Sequence, residues 1–456
     1  MNRKQFLRSS FVLAPLLSGI GSWVSSCKKE ENSCNQSFAG KVIVVGAGAA
    51  GLYAAKLLAD KGIDVTVLEA SPNIGGRIRP LENFADFTIE LGAEEVHGNK
   101  SKWYNLVKAS GANFIDRAEE DYYFYDGSLK AISDLVKNSD IVKLLEFVNG
   151  LEGYTGSDVP MQQVIDELGN TTKTNALYNA LLGNEHGTSN NRYGAFSAAE
   201  EERKWDAGSG NYTLSNKHYL AILQSVCSNV LNKVQTNKQV TAIDFSDSIV
   251  SVKTADNAVF MADKIIVTVP LTMLKANAIK FTPELSIAKK NAIATIGMDA
   301  GMKVILKFSN PFWDANTGSI YGIGYVPEFW VASAGRSNAQ HVLTAFVMGE
   351  KAEYLSSQGT NAVNIIVDEL KQLYGNNLPQ QNLIDSYIMD WSKEPFIKGA
   401  YSYASIGSAS QRTVLAEAIN NKVYFAGEAT NTKGSVGTVH GAIESAIDAV
   451  GNLLCS

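Results

Sequence analysis

Between Lys41 and Arg77 the spacing of apolar residues changes from run to run. Lys41–Val45 is a short β-branched run, the pattern of a parallel strand buried on both faces. Leu52, Ala55, Leu58 and Ala59 then recur at helical spacing. Asp64–Leu68 is a second strand-like run, closed by Glu69. Strand, helix and strand in so short a span predict a βαβ unit. Downstream, Leu135–Val148, Met161–Leu168 and Asn361–Tyr374 show helical spacing, and Asp116–Leu231 as a whole reads as mostly helical. Gly183–Asn191 crowds Gly, Asn, Ser and Thr and reads as a loop. Lys238–Ile243 and Ile249–Lys253 are two strands around the turn residues Ser246, Asp247 and Ser248. Ala262–Leu271 is a buried strand stopped by Pro270. In Gly301–Phe308, Val304, Leu306 and Phe308 share one face and Lys303, Ile305 and Lys307 the other. The pattern alone makes that a half-exposed strand with solvated lysines. Near the end, Ile443, Ala446, Ile447 and Val450 form a buried helix face.

At 456 residues the chain is long enough for two domains. A net charge of −6 argues against a nucleic-acid surface and is compatible with a cationic substrate. The cysteines, at 27, 34, 227 and 455, form no C-x-x-C or Cys/His cluster, so no metal site is expected. Arg3, Lys4 and Arg8 precede an apolar stretch, Phe11–Trp23, that is too short to span a bilayer and is interrupted by Pro15. Val24-Ser25-Ser26-Cys27 resembles a bacterial lipobox, which predicts lipidation and membrane attachment through Cys27. Asn2–Leu7 resembles a twin-arginine signal with Lys4 in place of the second arginine. Residues 1–27 are thus an export signal and 28–39 a polar tether holding Cys34, and the protein is expected to be exported, periplasmic or anchored as a lipoprotein.

The chemistry begins at the first turn. Gly46, Gly48 and Gly51 stand in G-x-G-x-x-G spacing between strand and helix, with Ala50 inside the motif. Gly46 permits a tight turn, Gly48 a close backbone approach to a pyrophosphate, and Gly51 close packing of helix on strand. The helix start offers free N–H groups and a positive dipole end. Glu69 falls about 20 residues on, where a carboxylate accepts ribose hydroxyls. Together these predict a dinucleotide site. Gly75-Gly76-Arg77 follows as a turn with a basic residue.

This βαβ unit with LEAS…IGGR resembles the flavin amine oxidase superfamily, which includes monoamine, polyamine and L-amino-acid oxidases and the flavin histone demethylases. Further segments resemble that family in its order. They are Glu90–Gly98, Ala262–Leu271, Met302–Phe308, Trp391–Ser402, Val423–Thr430 and Gly437–Ala442. The resemblance implies an α/β protein: a Rossmann-type FAD-binding domain (40–115, 232–300 and 386–456) with an inserted α+β substrate domain (116–231 and 301–385). It implies FAD, with Arg77 near the diphosphate, Val240 at the adenine, and Gly92, Ala93, Glu94 and Glu95 beneath the flavin ring. Glu428 would approach the ribityl–diphosphate portion, and Thr438 and Val439 the flavin at a helix start. Lys303 is implied to hold a water against flavin N5, with Lys307 at the surface. His97, Trp391, Tyr401 and Thr438 would contact substrate, Thr438 replacing a second cage tyrosine. Ala400 stands where some members carry the cysteine that attaches flavin, so FAD is expected to be non-covalent. His218 reads as a surface residue and His440 as structural. The implied reaction is oxidation of a small-molecule amine or polyamine by hydride transfer to the flavin, with O2 reoxidation giving H2O2. Glu82 lies about where L-amino-acid oxidases place a carboxylate-binding arginine, which favours amines. An L-amino-acid oxidase, a desaturase or isomerase of a polyene, and a non-catalytic flavoprotein are the alternatives.

Overall fold

The computed structural model describes residues 38–116, 119–322 and 324–456. The expected leader with Cys27, and Cys34, lie outside them. A five-stranded parallel sheet runs in the order Val234–Gln235, Asp64–Leu68, Lys41–Val45, Lys264–Val267, Val423–Phe425. Its β-branched central strands are covered on both sides. On one face, helices Ala49–Asp60 and Val439–Leu454 pack together, burying Leu52, Ala55, Leu58, Ile443, Ala446 and Val450 against Val42 and Val44. On the other face, Ile43 and Val45 meet Ile243 and Val252 of a four-stranded sheet, in which Val240–Asp244 pairs antiparallel with Val250–Thr254 as predicted. Ile447 is the exception on the last helix: it is 37% exposed, because it points away from the stripe that meets Leu52 and Leu58.

A seven-stranded sheet forms the second layer, in the order Leu383–Asp390, Gly301–Phe308, His341–Met348, Glu328–Val331, Thr317–Tyr321, Glu120–Tyr125, Ser128–Ala131. Helix Ala362–Tyr374 lies on the face made by Val304, Leu306 and Phe308. The opposite face, which Lys303 and Ile305 share with Met389 of the neighbouring strand, is covered by Ile89, Leu91 and Trp391. Gly301–Phe308 is therefore buried on both sides, not half-exposed. Lys307 is partly buried too, its ammonium bonded to the Phe84 carbonyl at 2.7 Å and 3.7 Å from Asp385. Leu383–Asp390 pairs along Gly301–Phe308, so the expected boundary at 386 falls inside a continuous strand.

Residues 132–203 are helical around Ile141, Leu144, Ile165, Leu177 and Tyr193. The span read as mostly helical also holds strands Glu120–Tyr125, Ser128–Ala131 and Asn211–Leu214, whose tyrosine-rich or short sequences lack a clear period. The helix expected over Leu135–Val148 is broken: Asn138 caps a new one, Ser139–Asn149, by accepting from Asp140 and Ile141 N–H. His218 also turns out to be a cap. Its Nδ1 accepts from Ala221 N–H at 3.2 Å at the start of Tyr219–Val226.

Candidate active site

One cavity of about 910 Å³ runs from the glycine turn to the face of the second sheet. Every residue named above for cofactor or substrate lines it except Gly51, which acts from beneath. At the nucleotide end Gly46 has φ +104°, a conformation that side chains resist. A Cβ on Gly51 would lie 1.9 Å from the Gly46 carbonyl oxygen, so only glycine lets this helix approach its strand. A Cβ on Gly48 would meet nothing within 4 Å; the backbone there faces open cavity. Helix Ala49–Asp60 starts without a side-chain cap, leaving its first N–H groups directed to that space. This arrangement fits a diphosphate. The Glu69 carboxylate accepts from Ala47 N–H at 2.6 Å and Ser71 N–H at 2.8 Å, which orients it and leaves lone pairs for ribose hydroxyls. Burial pushes its pKa up against those bonds. Val240 lines the same end.

In the middle, Arg77 is held by Glu428. Its Nη1 donates to Glu428 Oε1 at 3.0 Å and to the Ala400 carbonyl at 2.8 Å. Glu428 is buried and also accepts from Ser402 N–H at 3.2 Å, Ser402 Oγ–H at 2.6 Å and Gly437 N–H at 3.0 Å. Burial would raise its carboxyl, but Arg77, the Ser402 hydroxyl and Arg412 together hold it below the ordinary range. Arg412 bonds Ser402 Oγ at 2.7 Å and Glu201 at 2.5 Å. Neither Arg412 nor Glu201 carries a sequence signal; Ser402 sits in a recognisable motif but has no period of its own. Thr438 caps helix Val439–Leu454, accepting from Gly441 N–H at 2.9 Å and donating to the Ser435 carbonyl. Its hydroxyl is spent on that cap, so it offers the cavity its methyl and backbone, beside Val439.

At the far end Gly92 passes under Arg77 so closely that a Cβ would lie 1.8 Å from the Arg77 carbonyl oxygen. Ala93, Glu94 and Glu95 follow along the wall. Trp391 Nε1 donates to the Leu91 carbonyl at 3.0 Å, and the Arg79 guanidinium lies 5.0 Å over its ring. The Tyr401 ring is wedged between Gly187 and Gly437, and its hydroxyl donates to the Glu185 carbonyl at 2.8 Å. Lys303, 4% exposed, donates to Glu94 Oε2 at 2.7 Å and the Glu90 carbonyl at 3.0 Å, and lies 4.9 Å over Trp330. Strand register sets His97 opposite Asn211, and their side chains bond at 3.0 Å. His440 is buried against Trp205, and burial with nearby His97 pushes its pKa down to about 3, so it stays neutral. Among the described residues no cluster of His, Cys, Asp and Glu is placed to hold a metal. Glu82 does not line the cavity; it is 3.7 Å from His218 at the surface.

Comparison with known proteins bears on the fold and the family. Solved structures of similar fold include a putrescine oxidase bound to putrescine, with a TM-score of 0.79 at 17% identity over 92% of this chain and 100% of that one. Another is the cyclohexylamine oxidase from Brevibacterium oxydans IH-35A, with a TM-score of 0.79 at 18% identity over 91% and 99%. Among sequences, lysine-specific histone demethylase 2 from Homo sapiens is 30% identical over 86% of this chain and 50% of its own length. Polyamine oxidase 4 from Oryza sativa subsp. japonica is 28% identical over 90% and 87%. The chain thus spans about half the length of the histone demethylases it matches. The family model described as flavin containing amine oxidoreductase matches residues 49–454. With a diphosphate-ready glycine turn at one end of its cavity and a buried lysine at the other, the chain belongs to the flavin-containing amine oxidoreductases, and FAD is its cofactor.

Proposed function

We propose that the protein oxidises amines that carry a second positive charge, diamines or polyamines, with O2 as electron acceptor. The observation that carries this reading is the charge of the cavity wall. Glu185, whose carbonyl accepts from the Tyr401 hydroxyl, lines the cavity, as do Glu95 and Glu202. Carboxylates outnumber cations along the whole lining. A distal ammonium gains most where carboxylates face a partly desolvated space.

The protein's part is positioning and electrostatics. Gly46–Gly51, Glu69 and Val240 would hold the nucleotide, and the start of helix Val439–Leu454 would direct N–H groups at the electron-rich edge of the ring. When bound, FAD accepts a hydride from the carbon bearing the amine, and its reoxidation by O2 gives H2O2. Trp391 and Tyr401 would wall the substrate against it, and Lys303 would hold a water at the ring. Ala400 has no thiol to offer, which supports non-covalent attachment. His97 with Asn211 lies where an amine enters. The carboxylate-lined wall counts against a polyene substrate. Arg79 is committed to Glu394 at 2.8 Å, which counts against an amino-acid carboxylate in its place.

Purified protein should show flavin absorbance and release H2O2 with diamines or polyamines ahead of monoamines. A Glu185→Gln, Glu202→Gln double variant should raise KM for a diamine about tenfold with kcat retained and leave monoamine turnover alone. Turnover of L-amino acids without diamines would overturn the substrate class.

Export with lipidation at Cys27 belongs to the same reading. Cys455 is disulfide-bonded, which suits an oxidising compartment. Cys27→Ala should move the protein from the membrane fraction to the soluble periplasm; an unchanged distribution would remove the anchor.

A further inference from the structure

A second, small cavity lies behind the lysine end of the main one. It measures about 20 Å³, room for one water. Glu94 lines both cavities. Glu90 lines the small one. It is 92% buried, since only 8% of its surface is exposed. Its Oε1 accepts from Tyr219 N–H at 2.7 Å, while Oε2 has no protein partner. Arg336 lines the same cavity, and its buried Nε–H is also without one. Two unmatched polar atoms around a one-water space are the signature of a bound water, since leaving both bare would cost several kcal/mol. Lys217, which is exposed, and His218 line the cavity on its outer side, where His218 is 22% exposed and 3.7 Å from surface Glu82.

We propose that Glu90, a water in this cavity and Glu94 form a proton path from the surface at His218 to Lys303 and the flavin. The proposal rests on the amine oxidase reading for its direction. Reoxidation sends two electrons to O2, and H2O2 requires two protons. The reduced flavin brings one on N5. The second leaves the Glu90 carboxyl, crosses the cavity water to Glu94, and is passed by the Lys303 ammonium, which donates one proton to the reduced oxygen and regains one from Glu94. Solvent then reprotonates Glu90 past His218, so one proton enters the protein for each that leaves it. Charges facing Glu90 set its readiness. Burial, with Glu94 adding to it and Lys303 opposing it, pushes its pKa up to about 8, so it holds a proton at neutral pH. Tyr219, packed against it, stays protonated for the same reason, and Arg336 and Lys217 supply the cavity's fixed positive charge.

The test separates the two half-reactions of the holoenzyme. Dithionite-reduced protein is mixed with O2 and flavin absorbance is followed across pH, without amine. Glu90→Gln keeps the acceptor for Tyr219 N–H but cannot deliver a proton. It should slow reoxidation about tenfold or more and abolish its dependence on a group near pH 8, while anaerobic reduction by amine stays within about twofold. Unchanged reoxidation in flavin-loaded Glu90→Gln overturns the path. Infrared difference spectra of the wild type, reduced minus oxidised, supply a second measurement that needs no variant. A protonated-carboxyl band that shifts with redox state is expected, and its absence also overturns the path. Failure of every amine to reduce the flavin would instead overturn the functional reading, leaving the reoxidation result intact.

Discussion

Glu428→Leu should purify without flavin and be less stable than the wild type by about 3–5 kcal/mol, the cost of breaking a buried ion pair from one side. Four donors converge on this one carboxylate: the Arg77 guanidinium, the Ser402 hydroxyl, and the N–H groups of Ser402 and Gly437. Removing it strands all of them. Arg77 is 26% exposed and recovers part of its loss through water; the Ser402 and Gly437 groups do not. The damage spreads because Ser402 also accepts from Arg412, which in turn pairs with Glu201 on helix Ala195–Arg203. That chain of charges ties the flavin side of the cavity to the helical part. Glu428→Gln keeps the shape and one acceptor and should lose less. Its pH profile separates charge from packing. The folded-state pKa of Glu428 is depressed, so its contribution is present above the unfolded value and lost as pH falls through the folded one. The wild type should therefore release flavin on acidification and Glu428→Gln should show a flatter acid limb. Thermal melting and flavin release followed by fluorescence measure both. A Glu428→Leu protein that binds flavin normally would sink the argument.

The parts of this site that were legible in the sequence are those where backbone geometry restricts residue choice. Gly46, Gly48 and Gly51 follow from a turn, an open approach and a helix–strand contact, and each requirement is visible in the structure. The βαβ unit and the hairpin around Ser246–Ser248 follow from periodicity alone. Lys303 shows where periodicity stops. Alternation in Gly301–Phe308 is real, but it reports two different faces, not a wet and a dry one. The second face is covered by Ile89, Leu91 and Trp391 from segments distant in sequence, and Lys303 lines the cavity there. The family resemblance placed Lys303 at the site; nothing in the residues named Glu94 as its ion partner, 209 positions away. Arg412 and Glu201 are hidden for the same reason, since a buried pair between a loop-side helix and an inserted one leaves no local pattern. The capping roles of His218 and Thr438 leave no mark in the sequence, because a side chain that caps a helix is indistinguishable, by composition, from one that faces solvent or substrate.

Glu90→Gln should make the protein more stable, not less, and by an amount that depends on pH. In the folded protein the Glu90 pKa is raised from 4.5 to about 8. Between those values the unfolded chain releases a proton that the folded one keeps, so wild-type stability falls as pH rises through this window and levels off above it. At about 1.4 kcal/mol per unit, the full penalty is on the order of 3–5 kcal/mol. Glutamine does not titrate and escapes it. The two proteins should melt alike near pH 4, diverge steadily to pH 8, and differ by a constant amount beyond; denaturant titrations across that range measure the difference. A difference independent of pH would mean that Glu90 is ionised in the folded state, and would take away the proton it is assigned to deliver. The sign matters as much as the size. An amide, which keeps the acceptor for Tyr219 N–H, would stabilise this position at working pH, so the need for an acceptor alone gives no reason for a carboxyl here. A reason exists if the group must hold a proton close to neutrality next to Glu94 and Lys303, at a cost in stability that the rest of the fold absorbs.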